Sequence, residues 1–192
     1  MIKKGKFIVI DGVDGCGKST ICKKLYEKFK DKINTHLIDI YYDDFDNNIF
    51  NIIKNNDLTP EEEILLFYSI FQHNWNGYMN KWLFYDGLVI ADRWITSTIA
   101  YQVHCLHSNI IPSIDVGNPD LYFLLKVDNK TANERIENRK DKWESNNSIE
   151  TNLSSAMEKI YTKNNAIVID TNHKSIDMIV NKIYEYININ LY

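Results

Sequence analysis

Residues 12–19, Gly12-Val13-Asp14-Gly15-Cys16-Gly17-Lys18-Ser19, fit the spacing G-x-x-x-x-G-K-[ST] without a mismatch. That spacing restricts the fold, because it works only where a strand runs into a glycine-rich loop and the loop opens a helix. Both flanks comply. Phe7-Ile8-Val9-Ile10 is a short apolar run of strand type, and Ile21, Leu25 and Phe29 recur at spacings of four along the amphipathic stretch from Thr20 to Lys30. The chemistry follows from the residue types. Loop glycines bring backbone N–H groups close to phosphate oxygens, and the helix adds the positive end of its dipole. Lys18 can reach terminal phosphates, and the Ser19 hydroxyl suits Mg²⁺. The expected ATP cradle is Gly12, Val13, Asp14, Gly15, Cys16, Gly17, Lys18, Ser19 and Thr20.

A chain of 192 residues holds one domain with a sizeable core. Its net charge of −4 argues against general nucleic-acid or membrane-surface binding, so a nucleotide site has to be basic locally. Cys16, Cys22 and Cys105 form no C-x-x-C pair and no metal spacing. Such a sparse, odd set suggests free thiols in a reducing compartment, and a cytoplasmic location is expected. Cys16 reads as a small filler within the loop. No apolar stretch approaches membrane-spanning length. The apolar run after Lys3, Lys4 and Lys6 stops at Asp11 and reads as a first strand, not a signal peptide.

Strand candidates are Lys6 to Asp11, His36 to Ile40, Leu88 to Asp92, Leu121 to Val127 and Ala166 to Ile169. Helix candidates are Lys18 to Lys30, Asn47 to Asn55, Thr59 to Phe84, Thr96 to Cys105, Lys130 to Arg139, Ile149 to Lys163 and Ser175 to Ile187. Thr59-Pro60-Glu61-Glu62 makes a good helix start, with a capping hydroxyl, proline in the first turn and then acids. Alternating strands and helices with continuous apolar cores such as Phe123-Leu124-Leu125 predict an α/β fold: a five-stranded parallel sheet with helices on both faces. Ligands in such sheets bind beyond the carboxyl ends of the strands. Both the glycine loop and Asp92-Arg93, after Leu88-Val89-Ile90-Ala91, fall on that edge. Asp92 suits orientation of Mg²⁺, and Arg93 can grip a phosphate at two points.

The segment Asp92-Arg93-Trp94-Ile95-Thr96-Ser97-Thr98-Ile99-Ala100-Tyr101-Gln102 resembles the D-R-[YFHW]-x-x-S-x-x-A-Y-Q segment of thymidylate kinases. Further similarities come in the family's order. They are Ile10-Asp11-Gly12-Val13-Asp14-Gly15, Leu65-Leu66-Phe67-Tyr68, Asn118-Pro119-Asp120-Leu121, the A-x-x-R-x-x-x-R of Ala132 to Arg139, and the lid-like Asp141-Lys142-Trp143-Glu144. The resemblance implies one P-loop nucleoside-monophosphate kinase domain over residues 1–192, with a lid at about 138–148. It implies ATP and dTMP as substrates, Mg²⁺ as cofactor and a homodimer. It places the thymine ring on Phe67, the sugar and base against Ser97, Thr98, Tyr101 and Gln102, Asp14 near the 3′-hydroxyl and Arg93 on the acceptor phosphate. Tyr101 occupies the position that disfavours a 2′-hydroxyl. Arg135 and Arg139 approach ATP from the lid. Some members carry an arginine at the position of Gly15. Its absence here, with Arg139, Lys140 and Lys142 clustered downstream, implies catalytic cations from the lid.

The sequence departs from the family in two places. Where an arginine usually comes after the second strand, this chain has Tyr41-Tyr42-Asp43-Asp44-Phe45-Asp46, and no Lys or Arg occurs between Lys32 and Lys54. These acids repel a phosphate near the site unless a cation intervenes; displaced from it, they are a solvated loop. Four residues after Phe67, where an arginine usually reads the base, stands Phe71. The expected catalytic set is Lys18, Arg93, Arg139 and Asp14, with Ser19 and Asp92 for metal and Phe71 in the base pocket. Altered base preference is one consequence. Alternatives are another deoxynucleotide kinase, a deoxynucleoside kinase using Asp43 or Asp44 as general base, and a non-catalytic nucleotide-binding protein. His73, His104 and His107 read as ordinary partly buried or surface histidines, and Tyr68, Phe71, Trp75, Tyr78 and Trp82 as core or dimer packing.

Overall fold

The computed structural model describes residues 4–113, 115–136, 153, 155–160, 163 and 165–191. Strands β1 (Lys6–Gly12), β2 (Thr35–Ile38), β3 (Leu88–Asp92), β4 (Leu121–Lys126) and β5 (Ile167–Asp170) form one all-parallel sheet in the order β2-β3-β1-β4-β5. Its helices are α1 (Lys18–Phe29), α2 (Asp44–Asn55), α3 (Pro60–Asn74), α4 (Asn80–Phe84), α5 (Ile95–Ile99), α6 (Asn129–Ile136), α7 at 155–160 and α8 (Ile176–Leu191).

Strand pleating sends alternate residues of β1 to opposite faces. Ile8 and Ile10 join Leu25, Phe29, Phe123, Ile183 and Ile187 in the core under α1 and α8. Phe7 and Val9 join Val89, Ala91, Trp94, Phe71 and Leu83 in the core under α3 and α4. Both faces are covered, which is why the strands read as unbroken apolar runs. The register sets Ile10 beside Asp92 on one side and Phe123 on the other. The loops after β1 and β3 therefore open at the same sheet edge.

Several boundaries differ from the sequence reading. The helix expected over Thr59 to Phe84 contains a π-helical turn, Trp75–Met79, between α3 and α4. The extra residue in that turn shifts the side-chain phase, which a 3.6-residue pattern cannot show. A second π turn, Ala100–Cys105, extends α5. Helix α2 begins at Asp44, earlier than Asn47, because Asp43 accepts from the Asp46 N–H and caps it. The start of α3 is as expected: Thr59 and Glu62 form a reciprocal capping box. The lid at about 138–148 and the beginning of the helix expected from Ile149 lie outside the described residues.

Candidate active site

A cavity of about 750 Å³ opens at the carboxyl edge of the sheet. The P-loop residues Val13, Asp14, Gly15, Gly17 and Lys18 line it, with Ser19 and Thr20 from the start of α1. Asp92 and Arg93 line it from the end of β3, and Arg135 from α6. Phe67 and Phe71 of α3 face it, as do Ser97 and Thr98 of α5 and Tyr101 and Gln102 just beyond. Gly12 and Cys16 are not on its wall. Arg139 falls outside the described residues. Cys16 is fully buried, and burial pushes its thiol up, so it is a filler beneath the loop.

Backbone conformation holds the P-loop. Gly17, at φ 96°, caps α1 in the left-handed region. Gly15, at φ 75°, passes so close to α6 that a Cβ there would stand 2.6 Å from the Ala132 carbonyl oxygen. Arg135 Nη1 donates to the Gly15 carbonyl at 3.1 Å, and its Nη2 to the Thr171 carbonyl at 3.2 Å. The guanidinium thereby ties the loop to the segment after β5.

The two central cations already hold partners within the chain. Lys18 is buried and donates to the Val13 carbonyl at 2.9 Å and to Asp14 Oδ1 at 3.3 Å. Arg93, itself at φ 71°, pairs with Asp14 through Nη2. Its Nη1 donates to the Gly12 carbonyl at 3.2 Å and to Asp11 at 3.4 Å. The Arg93 guanidinium, chiefly, lowers the Asp14 carboxyl to about 2 against the opposing effect of burial, and Lys18 assists. Burial opposes the charge of Arg93, yet Asp14 and Asp11 hold its pKa above the usual guanidinium value.

The other half of the cavity is largely aromatic. Phe71 is 2% exposed and packs on Trp94 with ring centroids 4.9 Å apart, so it seals the wall with a ring where a donor was absent from the sequence. Gln102 is fully buried and donates to Glu63 Oε2 at 2.6 Å, while its Oε1 has no hydrogen-bond partner. That pairing fixes the orientation of the amide. Ser97 donates back to the Trp94 carbonyl at 2.9 Å.

Sequence reasoning missed a third wall. Asp39, Ile40 and Tyr41 come after β2, and Phe50 and Lys54 belong to α2; all five line the cavity, as do Lys174, Ser175 and Ile176. Lys54 had a signal: it is the first Lys or Arg after Lys32 and stands one helical turn beyond Phe50. Burial raises the Asp39 carboxyl, and the nearby charge of Asp92 acts in the same direction. Asp39 and Asp92 lie at the ends of the adjacent strands β2 and β3. With the Ser19 hydroxyl they provide hard oxygen donors of the kind Mg²⁺ takes.

The acidic segment stands apart from this cavity. Asp43, Asp44 and Asp46 are absent from its wall. Asp43 caps α2 and accepts from the Tyr78 hydroxyl at 2.7 Å, with His73 Nε2 at 2.8 Å. Burial opposes its ionisation, but the Asp46 N–H, Tyr78 and His73 together lower its carboxyl to about 2. Asp43 is therefore a structural acceptor and not a general base facing a nucleoside, and Asp44 is exposed. His73 was expected to be ordinary; the fold gathers it with Asp43 and Asp46.

A family model for thymidylate kinase matches residues 10–183 of the chain. A "Probable thymidylate kinase" of Sulfolobus acidocaldarius is 32% identical over 194 residues, spanning 94% of this chain and 97% of that protein. A thymidylate kinase of Rickettsia bellii is 31% identical over 151 residues, 72% of this chain and 71% of its own. Among solved structures, thymidylate kinase from Candida albicans, described with broad substrate specificity, superposes with a TM-score of 0.76 at 22% identity, covering 99% of this chain and 94% of that one. The thymidylate kinase of Ehrlichia chaffeensis gives 0.72 at 22%, covering 96% and 98%.

Proposed function

The chain belongs to the thymidylate kinase family, and from that premise we propose how its residues divide the work of phosphorylating dTMP. It transfers a phosphoryl group from ATP to dTMP, giving dTDP. The observation that carries the assignment of roles is the single cavity. It has a P-loop at one end, an aromatic pocket at the other, and Arg93 and Asp14 between them.

Phosphoryl transfer needs two phosphates held in line and their charge neutralised, with little covalent help. The backbone N–H groups of residues 12–20 cradle ATP. Lys18 leaves the Val13 carbonyl and Asp14 to meet the terminal phosphates. Arg93 releases Asp14 and takes the acceptor phosphate, and the freed Asp14 carboxylate accepts from the sugar 3′-hydroxyl. Phe67 stacks on the base. Ser97, Thr98 and Tyr101 line the sugar and base, with Tyr101 against a 2′-hydroxyl. The Gln102 oxygen is buried behind the base pocket, and once the base displaces what covers it, it accepts the ring N–H of thymine, where cytosine presents an acceptor. Phe71 closes this pocket. Lys54 is the cation of the third wall and stands in for the arginine missing after β2. Ser19 and Asp92 would hold Mg²⁺, which would neutralise phosphate charge there. Arg135 and Arg139 supply cations from the lid side, and closure of the lid at about 138–148 excludes water.

The same reading takes the chain as one kinase domain and a cytoplasmic homodimer. No helix among the described residues is long and apolar enough to cross a membrane. Leu65 of α3 is 50% exposed, as a helix packing on a second copy would have it.

An ATP/Mg²⁺ assay with dTMP, dUMP, dCMP, dGMP and thymidine side by side, detecting products directly, tests the assignment. The expected result is dTMP and dUMP used well, dCMP poorly and thymidine not at all. Equal use of dCMP would remove Gln102 from base reading.

A further inference from the structure

Asp43, Asp46 and His73 each offer one oxygen or nitrogen, and these atoms all lie within 4.8 Å of one another. Asp43 caps α2, Asp46 sits in its first turn and His73 in the last turn of α3, so the cluster brackets two helices. None of the three lines the nucleotide cavity. Asp46 is fully buried. Its Oδ2 accepts from Asn74 at 2.8 Å, but its Oδ1 has no hydrogen-bond partner. The Oδ1 of Asn74, itself 2% exposed, has none either.

Charge balance points the same way. Of the groups that act most on Asp46, Asp43 repels its charge, while the Asn74 amide, His73 and the Tyr42 backbone N–H favour it. No lysine or arginine is among them, and the sequence offers none between Lys32 and Lys54. Two carboxylates thus share one imidazole, and one of them is buried with an oxygen unpaired, an arrangement that is costly on its own. A divalent cation answers both deficits: it matches the two carboxylate charges and gives the orphan oxygen a bond. One imidazole nitrogen with two carboxylates suits Zn²⁺, Mn²⁺ or Co²⁺ better than Mg²⁺ or Ca²⁺. Water, Tyr78 or the Asn74 oxygen can complete the shell.

We propose that Asp43, Asp46 and His73 form a divalent transition-metal site that ties α2 to α3, separate from the Mg²⁺ position at Ser19 and Asp92. Helix α2 carries Phe50 and Lys54 and α3 carries Phe67 and Phe71, so the ion fixes the spacing of two cavity walls. This does not depend on which phosphate acceptor the enzyme uses.

The test is titration of chelator-stripped, nucleotide-free full-length protein with Co²⁺, followed by calorimetry and visible absorption, beside Asp46→Asn and His73→Gln. Since Ser19 and Asp92 can also take Co²⁺, the readout is the difference between wild type and variants. The expected result is a ligand-field band and one extra equivalent in the wild type, weakened at least about tenfold in both variants. Equal uptake in all three proteins, or none in the wild type, overturns the site and leaves a cluster held by a proton. A measurement without variants guards against misfolding. With Mg²⁺ saturating, added Zn²⁺ must raise the melting temperature of the wild type; no rise overturns the proposal.

Discussion

Gly15 occupies the position where some family members carry an arginine, and the geometry here leaves no room for a side chain at it. Consider Gly15→Ala. Its φ of 75° lies in the left-handed region, which costs an L-residue about 1–2 kcal/mol. The new Cβ would meet the Ala132 oxygen at 2.6 Å and its Cα at 2.9 Å. Both are backbone atoms at the start of α6, so no side chain can turn aside. Overpacking of this kind adds about 1–3 kcal/mol. The midpoint of the two together, about 3.5 kcal/mol, at roughly 2–4 °C per kcal/mol for a chain of this size, predicts a melting temperature lower by about 7–14 °C. Relief by moving the loop stretches the 3.1 Å bond from Arg135 to the Gly15 carbonyl. ATP affinity should therefore fall as well, by about tenfold for a loss near 1.4 kcal/mol. Thermal melts and ATP calorimetry read the two effects. Gly77→Ala is the control, because a Cβ at Gly77 meets no atom within 4 Å. Gly15→Arg should fare worse than alanine. A Gly15→Ala protein melting within about 2 °C of wild type, less than one kcal/mol of loss, and binding ATP normally would refute the steric reasoning.

Arg93→Ala should lower turnover by about a thousandfold while far-UV dichroism stays native, since holding the acceptor phosphate in line with ATP is worth that much or more; near-normal turnover removes Arg93 from the mechanism. Lys54→Ala should raise KM for dTMP about tenfold, the loss of one charge-assisted contact, and leave KM for ATP unchanged. If both constants move together, or neither does, Lys54 has no acceptor role. For Asp14→Asn, the drop of the carboxyl to about 2 corresponds to at most about 2.4 kcal/mol. Its side chain is 41% exposed, so screening leaves about 1 kcal/mol. The sign is that of a depressed folded-state value: this stability is present above the ordinary carboxyl value and is lost as pH falls toward 2. Urea unfolding should show a constant deficit for the variant from neutral pH to about 5, shrinking only below the ordinary value of 3.8. A deficit that vanishes already near pH 6 would contradict the Arg93–Asp14 pairing.

Much of the sheet and one half of the site were legible in the sequence because local rules governed them. A strand entering a glycine loop and a helix is specified by contiguous residues, and Asp92-Arg93 sits at the end of a strand that its short apolar run reveals. The α2 wall was not legible. Asp43, Asp44 and Asp46 read as solvated because runs of acids usually are, and only the packing of α2 against α3 buries Asp46 beside Asn74. The bond from Gln102 to Glu63 joins residues 39 positions apart, beyond the reach of any periodic signal. The π turns escaped for a different reason. One added residue within a helix leaves composition and capping unchanged, and shifts only the phase of the side chains beyond it. Phe71 was read from the sequence as a missing donor; its 2% exposure and contact with Trp94 show that the ring serves the core.

The internal partners of Lys18 and Arg93 make ligand entry an exchange reaction rather than an addition. An incoming anion must take Lys18 from the Val13 carbonyl and Asp14, and Arg93 from Asp14, Asp11 and the Gly12 carbonyl. A lone inorganic phosphate or sulfate replaces few of these bonds and leaves Asp14 unsatisfied. A nucleotide replaces them while adding ring stacking and a hydroxyl donor for the released carboxylate. The resting site is thus electrostatically quiet, and simple anions in solution compete poorly for cations that a paired donor and acceptor can recruit together.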